Sequence, residues 1–232
     1  VLYFNWMAMI LQNGGNFLDA QGKVDLATPE AIAAMTELVS YIKDDHVTNL
    51  DSLTGAQAVI EHGFMCIDEA YMAINGPWIV PDCETSYGLT YGEDFEYIAQ
   101  PPFVEGKTEW AAETGWSLAV ANSSKVADAS WKFVEFLLQP ANLLRHNIDC
   151  GQIPPRKSVA NDPALIEAVP YLAPLISILD SAKYVGNYDP GTVKEFTKQM
   201  FISLVSDDGT YASVEEACQK LNADLEANVK YY

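Results

Sequence analysis

The residues best suited to chemistry in this chain are aromatic. Tyr3, Trp6, Trp78, Trp110, Trp116 and Tyr188 all stand at the ends of expected helices and strands. A flat ring at such a place can offer a face to a ligand while its N–H or O–H reaches a polar partner. With nearby Asp, Glu and Asn, such rings suit an uncharged polar ligand. The C–H face of a pyranose packs on the ring, and carboxylates or amides take the hydroxyls. Sugars fit this kit, and so do other uncharged polar solutes. Trp78 is the most informative of the set. It follows Tyr71-Met72-Ala73-Ile74-Asn75-Gly76-Pro77, in which Met72 and Ile74 read as one face of a buried strand that ends in a Gly-Pro turn. Two readings of Trp78 stay open: a wall of a ligand cleft, or a cap of the strand against the core. Trp131, on a helix beside Phe133, reads as core.

Catalytic constellations are missing from the sequence. There is no G-x-S-x-G elbow, P-loop, G-x-G-x-x-G or H-E-x-x-H. The acid pairs Asp44-Asp45, Asp68-Glu69, Glu93-Asp94 and Glu215-Glu216 are sequence neighbours, which point in different directions on a helix and make no glycosidase pair. The expectation is a protein that is not an enzyme and needs no cofactor. A carbohydrate-active enzyme whose carboxylates converge in space is the less favoured alternative. Cys66, Cys83, Cys150 and Cys218 show no C-x-x-C spacing, so no zinc knuckle or thioredoxin motif is present. Four thiols allow three complete pairings, and spacing does not choose among them. Cys218 lies on a helical apolar stripe and reads as a buried small hydrophobe. His46, His62 and His146 fall near expected helix ends and read as C-terminal partners rather than ligands. Asn122-Ser123-Ser124 matches a glycosylation sequon, a weak signal built from three common loop residues.

Composition narrows the partners. The 232 residues suffice for one large domain or two small ones. A net charge of −19, from 32 acidic and 13 basic residues, would repel a phosphate backbone, so nucleic acid is not expected. No basic patch suits anionic lipid. No apolar run approaches the roughly 18–20 residues of a membrane helix. The acidity reads first as a solvated surface, although it would also suit a cationic ligand. Val1 to Trp6 read as the middle of an element rather than a leader, so the chain is expected to be a fragment of something longer.

The elements that must position the aromatics follow from punctuation and period. A helix is expected over 3–12, ended by Asn13-Gly14-Gly15, with a turn at 19–23. Thr28-Pro29-Glu30 opens a helix carrying Ile32, Met35, Val39 and Ile42 at helical spacing. A short helix is expected over 51–62. Strands are expected at 71–75, 96–100 and 115–121, with a loop-like stretch from Pro77 to Gly88 and a polar hairpin or loop at 104–113. Helices then follow at 126–138, from Pro140 to Gly151, after Asn161-Asp162-Pro163, and from Pro190 to about 205. A capping box, Ser213-x-x-Glu216, opens the last, with Val214, Ala217, Leu221 and Leu225 as its stripe. The fold class expected is α/β.

Taken in order, these segments resemble the extracellular solute-binding proteins of the maltose-binding-protein type, the ligand receptors of ABC sugar importers. The resemblance is carried by Asn-Gly-Pro-Trp (75–78) preceded by Ala-x-Met-x-Ile (70–74), Tyr3-Phe4-Asn5-Trp6 with Gly14-Gly15, the helix from Thr28 to Val47, Pro101-Pro102, Trp116 to Val120, and Gly151 to Arg156. One departure is Asp68, where the family usually has Gly. The resemblance implies a type II periplasmic-binding-protein-like fold of two α/β lobes with ligand between them. This chain would supply mainly the C-terminal lobe plus a returning segment of the N-terminal lobe. Residues 1–112 would be the first part of the C-terminal lobe, 113–154 a hinge crossing and N-terminal-lobe segment with Gly115 at the hinge, and 155–232 the helical second part. It also implies non-catalytic capture of a mono- or oligosaccharide for an ABC permease, by a monomer outside the cytoplasm, in the periplasm or lipid-anchored on the outer surface. Trp78 would be a stacking platform, Tyr3 and Trp116 further walls, and Glu113 and Tyr188 hydroxyl partners. Trp6 would be either a wall or packing beneath the site. The same fold binding a polyamine or peptide is the alternative.

Overall fold

The computed structural model describes residues 2–50, 53, 70–112 and 115–232. The chain orders as α1 (Leu2–Gln12), α2 (Pro29–Lys43), α3 (Ile79–Tyr87), β1 (Trp110–Ala112), α4 (Ala127–Leu137), α5 (Pro140–Cys150), α6 (Lys157–Ala160) and α7 (Pro163–Ala168), then α8 (Ala173–Ser177), β2 (Ala182–Tyr184), α9 (Pro190–Ser206) and α10 (Val214–Asn228). It forms two compact units. One comprises 1–64, 101–113 and 181–232, and the other 65–100 and 114–180. No helix among the described residues is long and apolar enough to cross a membrane.

In the first unit, α1 is a run of large apolar side chains that buries Tyr3, Trp6, Met7, Met9 and Ile10. It stops where Gly14 adopts a φ of 86°, a conformation that favours glycine. Helix α2 starts as its sequence dictates: the Thr28 side chain accepts the N–H of Ala31, and Pro29 and Glu30 occupy the first turn. The indole N–H of Trp6 donates to the Ala31 carbonyl at 2.8 Å, which fastens α1 to the start of α2. β1 and β2 pair in parallel, Trp110 opposite Ala182. Gln12 clamps the segment leading to β1. Its amide N–H donates to the Glu109 carbonyl at 2.9 Å, and its side-chain oxygen accepts from the Phe103 N–H at 2.7 Å. Asp189 caps α9 and Ser213 caps α10. The carboxylate of Glu216 accepts from the Ala212 N–H at 2.8 Å, one residue before the N-cap, so the capping box closes one residue wider than its usual form. Ala217, Cys218, Leu221 and Leu225 are buried along α10. Burial pushes the Cys218 thiol up to about 12, as befits a hydrophobe rather than a nucleophile.

The second unit has its own core of Ile79, Val80, Cys83, Leu165, Val169, Tyr171 and Leu172. Residues 79–87, expected as loop, are helix α3. Pro81 is the third residue of that helix, in the first turn, where no intrahelical partner awaits an N–H. Gly88 closes α3 with a left-handed φ of 70°. Helix α5 runs from Pro140 to Cys150 with Gly151 as its left-handed cap, as its sequence suggests. Asp162 caps α7 through the Ala164 N–H.

Two further expectations need correction. Segments 71–75, 96–100 and 115–121 are not strands. Met72 is 88% exposed, and Leu118 and Ile74 are exposed too. Helix α4 forms, but none of its residues is buried, and Trp131, Phe133 and Phe136 face solvent rather than a core. The cause is shared: a strand needs a ladder neighbour and an apolar helix face needs a covering layer, and neither is supplied among the described residues. Residues from 79–97 and 144–176 contribute to the second core. The expected helix over 51–62 lies, apart from Leu53, outside the described residues, as do His62, Cys66 and Asp68. Cys150 and Cys218 carry free thiols.

Candidate functional site

Trp78 stands where a turn becomes helix α3, in the second unit. The Asn75 side chain accepts the Gly76 N–H at 2.8 Å, and the Gly76 carbonyl accepts from the Ile79 N–H at 3.1 Å. The Pro77 carbonyl accepts from Val80 at 3.2 Å, so Trp78 is already helical, with φ −60° and ψ −16°. Its side chain folds back over the turn. A Cβ built on Gly76 would lie 2.0 Å from Cζ3 and 2.1 Å from Cη2 of the indole. The six-membered ring therefore rests on the bare glycine backbone, and the residue stays 53% exposed. A braced, half-exposed ring of this kind has a face free to stack on a flat apolar surface.

The turn is tied to an aromatic cluster. The Tyr97 hydroxyl donates to the Asn75 carbonyl at 3.0 Å. The Tyr97 ring meets Tyr171 edge-to-face at 6.0 Å, and Tyr171 meets Tyr91 at 5.3 Å. Burial pushes the Tyr97 phenol up to about 12, and burial, followed by the charge of Glu84, does the same for Tyr171. Both hydroxyls therefore stay protonated and able to donate at neutral pH. Sequence reading passed over this cluster. The spacing of Tyr91, Phe95 and Tyr97 was the available signal, but only Tyr97 falls within the strand expected over 96–100.

The other expected site residues divide between the units. Trp116, in the second unit, is 95% exposed. Tyr3 and Tyr188 are in the core of the first unit, each 4% exposed, with their hydroxyls sharing a short hydrogen bond. Trp6 is fully buried. Tyr3, expected as a wall, and Trp6, expected as a wall or as packing beneath the site, both lie on the face of α1 that packs into the first core. The Tyr188 hydroxyl, expected to partner the ligand, bonds that of Tyr3. Lys194 lies 5.6 Å from the Tyr3 ring centre and 4.8 Å from that of Phe4. Trp110 is half-buried in β1. Glu113 lies outside the described residues.

Among the described residues, no group of three or more His, Cys, Asp and Glu side chains could hold a metal ion. The His46 ring bonds the Ile42 carbonyl at 2.9 Å, closing the end of α2. His146 lies within α5, 3.7 Å from the Cys150 sulfur. Two recesses are not lined by Trp78. A polar one of about 290 Å³ in the first unit includes Asp19, Asp25, Asn222 and Glu226, and an apolar one of about 320 Å³ in the second runs between 118–121 and α4. The first is occupied by local structure: Asp19 already accepts the Gln21 and Lys23 N–H groups, and Asn222 that of Leu26.

Residues 3–174 match the profile of the bacterial extracellular solute-binding protein family. No curated protein sequence matches the chain. Among solved structures, maltose-bound MalE3 of T. maritima is 23% identical, with a TM-score of 0.76 over 97% of this chain and 57% of that one. The GacH receptor of Streptomyces glaucescens, solved unliganded and with acarbose, is 19% identical, with a TM-score of 0.73 over 96% of this chain and 55% of that one. MalE of Bdellovibrio bacteriovorus, bound to maltotriose, is 18% identical, with a TM-score of 0.71 over 97% and 57%. At these identities the likeness shows the fold, that of type II periplasmic binding proteins, as the sequence implied. The chain spans just over half the length of each of these structures.

Proposed function

This chain belongs to the family of bacterial extracellular solute-binding proteins, and from that premise we propose that it captures a carbohydrate without turnover and hands it to the permease of an ABC importer. The observation that carries this reading is the Trp78 ring, braced on Gly76 and half exposed at the start of α3. That arrangement holds an aromatic face ready for a sugar ring before ligand arrives, which saves ordering cost on binding. The maltose, maltotriose and acarbose of the structures above make gluco-oligosaccharides the first class to try. Trp116 is the second aromatic in this reading. The protein acts outside the cytoplasm, as a monomer, with a small uncharged ligand and a membrane permease as its partners.

A thermal-shift panel of mono- and oligosaccharides tests the proposal on the full-length protein. A ligand at 100 times its Kd stabilises the folded state by about 2.7 kcal/mol, a readily visible change in Tm. If no sugar shifts the Tm while another solute class does, the assignment fails. The net charge of −19 supports a second reading, a polyamine or other cationic solute on the same fold. Salt decides between them: polyamine affinity falls as ionic strength rises, and sugar affinity does not.

A further inference from the structure

We propose that Tyr97 is a positioning residue for Trp78: its hydroxyl holds the Asn75 carbonyl and so sets the angle at which the Trp78 ring lies on Gly76. This rests on the reading of Trp78 as the ligand platform. Residues 71–76 have no strand ladder among the described residues, so their position depends on individual bonds. Tyr97 supplies one from 22 residues away, at 3.0 Å, to the carbonyl immediately before Gly76. The ring of Trp78 lies against the next backbone unit, with Gly76 contributing no side chain of its own. A shift of the Asn75–Gly76 peptide therefore moves the surface on which the indole rests.

Tyr97 is itself held. Its ring meets Tyr171 edge-to-face, interplanar angle 69°, and Tyr171 belongs to the second core. Tyr171 in turn fills the space that Gly151 leaves open at the end of α5, since a Cβ there would lie 2.2 Å from its hydroxyl oxygen. A continuous line of contacts thus runs from the cap of α5, through Tyr171 and Tyr97, to Asn75 and the platform. Were Tyr97 needed only to fill volume, phenylalanine would serve as well, and the outward reach of the hydroxyl to a backbone carbonyl would have no consequence.

The test compares full-length wild type with Tyr97→Phe by NMR of indole ¹⁵N-labelled tryptophans, with Trp78 assigned from a Trp78→Phe spectrum. The expected result is that the Trp78 indole signal moves or broadens in Tyr97→Phe while those of Trp6 and Trp110, in the other unit, stay in place. Tyr171→Phe, which keeps the ring but has no bond to Asn75 to lose, leaves Trp78 unmoved. An unchanged Trp78 signal in Tyr97→Phe, or an equal change in Tyr171→Phe, overturns the proposal. This readout needs no ligand, so it judges Tyr97 even if no sugar binds and the transport reading falls. Where maltotriose binds, Tyr97→Phe lowers affinity about fivefold, the worth of one net hydrogen bond. That loss disappears in the Trp78→Phe background. An equal loss in both backgrounds also overturns it.

Discussion

The indole of Trp78 lies on Gly76 so closely that a methyl group at Gly76 would stand 2.0 Å from the ring. Gly76 does not take the left-handed backbone that glycine alone adopts easily, so an alanine there meets no backbone strain. The clash is with the far end of a side chain that has solvent beside it. The ring swings outward rather than the turn unfolding. Gly76→Ala is therefore expected to leave Tm within a few degrees of wild type and to lower sugar affinity by roughly tenfold, ~1.4 kcal/mol. Calorimetric titration beside a thermal melt checks both halves. A large fall in Tm with unchanged affinity would mean that the glycine serves the fold alone.

Trp78 and Trp6 make a matched pair for separating site from core. Trp78 is half exposed and belongs to neither core, whereas Trp6 is buried and donates to the Ala31 carbonyl. Trp78→Ala is expected to change stability by less than about 0.5 kcal/mol, as for other surface substitutions, yet to weaken ligand binding strongly. Trp6→Ala is expected to cost about 3–5 kcal/mol, through a lost transfer term, a cavity and an unpaired carbonyl. Denaturant midpoints for the two variants check the contrast, and unchanged affinity in Trp78→Ala would remove that residue from the site.

Helices were legible where their ends carry chemistry. Thr28-Pro29, Pro140 with Gly151, Asp162-Pro163, Pro190 and Ser213-x-x-Glu216 each supply a donor, an acceptor or a fixed φ within a few residues, and the structure uses all of them. Strands were not legible in the same way. Met72 and Ile74 alternate as a strand does, but a ladder partner is a property of distant residues that alternation does not report. Pro81 misled for a related reason: a proline in the first turn of a helix and a proline in a loop look alike until the helix start is known. The turn that carries Trp78 was legible in Asn75-Gly76-Pro77-Trp78, because a glycine and a proline before a tryptophan announce a turn. Its support was not, since the Tyr97–Asn75 bond joins residues brought together by packing. Tyr3 and Trp6 carried the same aromatic signal as Trp78, and only burial tells them apart.

Gly151 is held by two independent constraints. Its φ of 59° is left-handed, and a Cβ would lie 2.2 Å from the Tyr171 hydroxyl and 3.1 Å from the Pro81 ring. The backbone term alone costs about 1 kcal/mol for alanine. The steric term adds to it, because Pro81 sits in α3 and Tyr171 in the second core. Gly151→Ala is expected to destabilise by about 2 kcal/mol or more, read as a lower denaturant midpoint at unchanged m-value. Asn tolerates left-handed φ better than alanine but relieves no clash, so Gly151→Asn should recover part of the loss at most.

Alkaline pH should weaken the fold through buried acids that resist ionisation. Burial raises the Tyr97 and Tyr171 phenols from 10.0 to about 12, and the Cys218 thiol from 9.0 to about 12. In each case the folded state holds its proton where the unfolded chain has already lost it. The unfolded state therefore binds fewer protons across that window, and the linkage slope of stability against pH is negative. The contribution is whole below about pH 9 for the thiol and below about pH 10 for the phenols, and it is lost as pH rises towards 12. A series of melts from pH 8 upward should show Tm falling in that interval. Tyr97→Phe and Tyr171→Phe should each flatten the part above pH 10, and Cys218→Ala should flatten the part that begins near pH 9, whatever each does to stability at neutral pH. A slope unchanged in all three variants would mean that these side chains are as open to water in the folded chain as in the unfolded one.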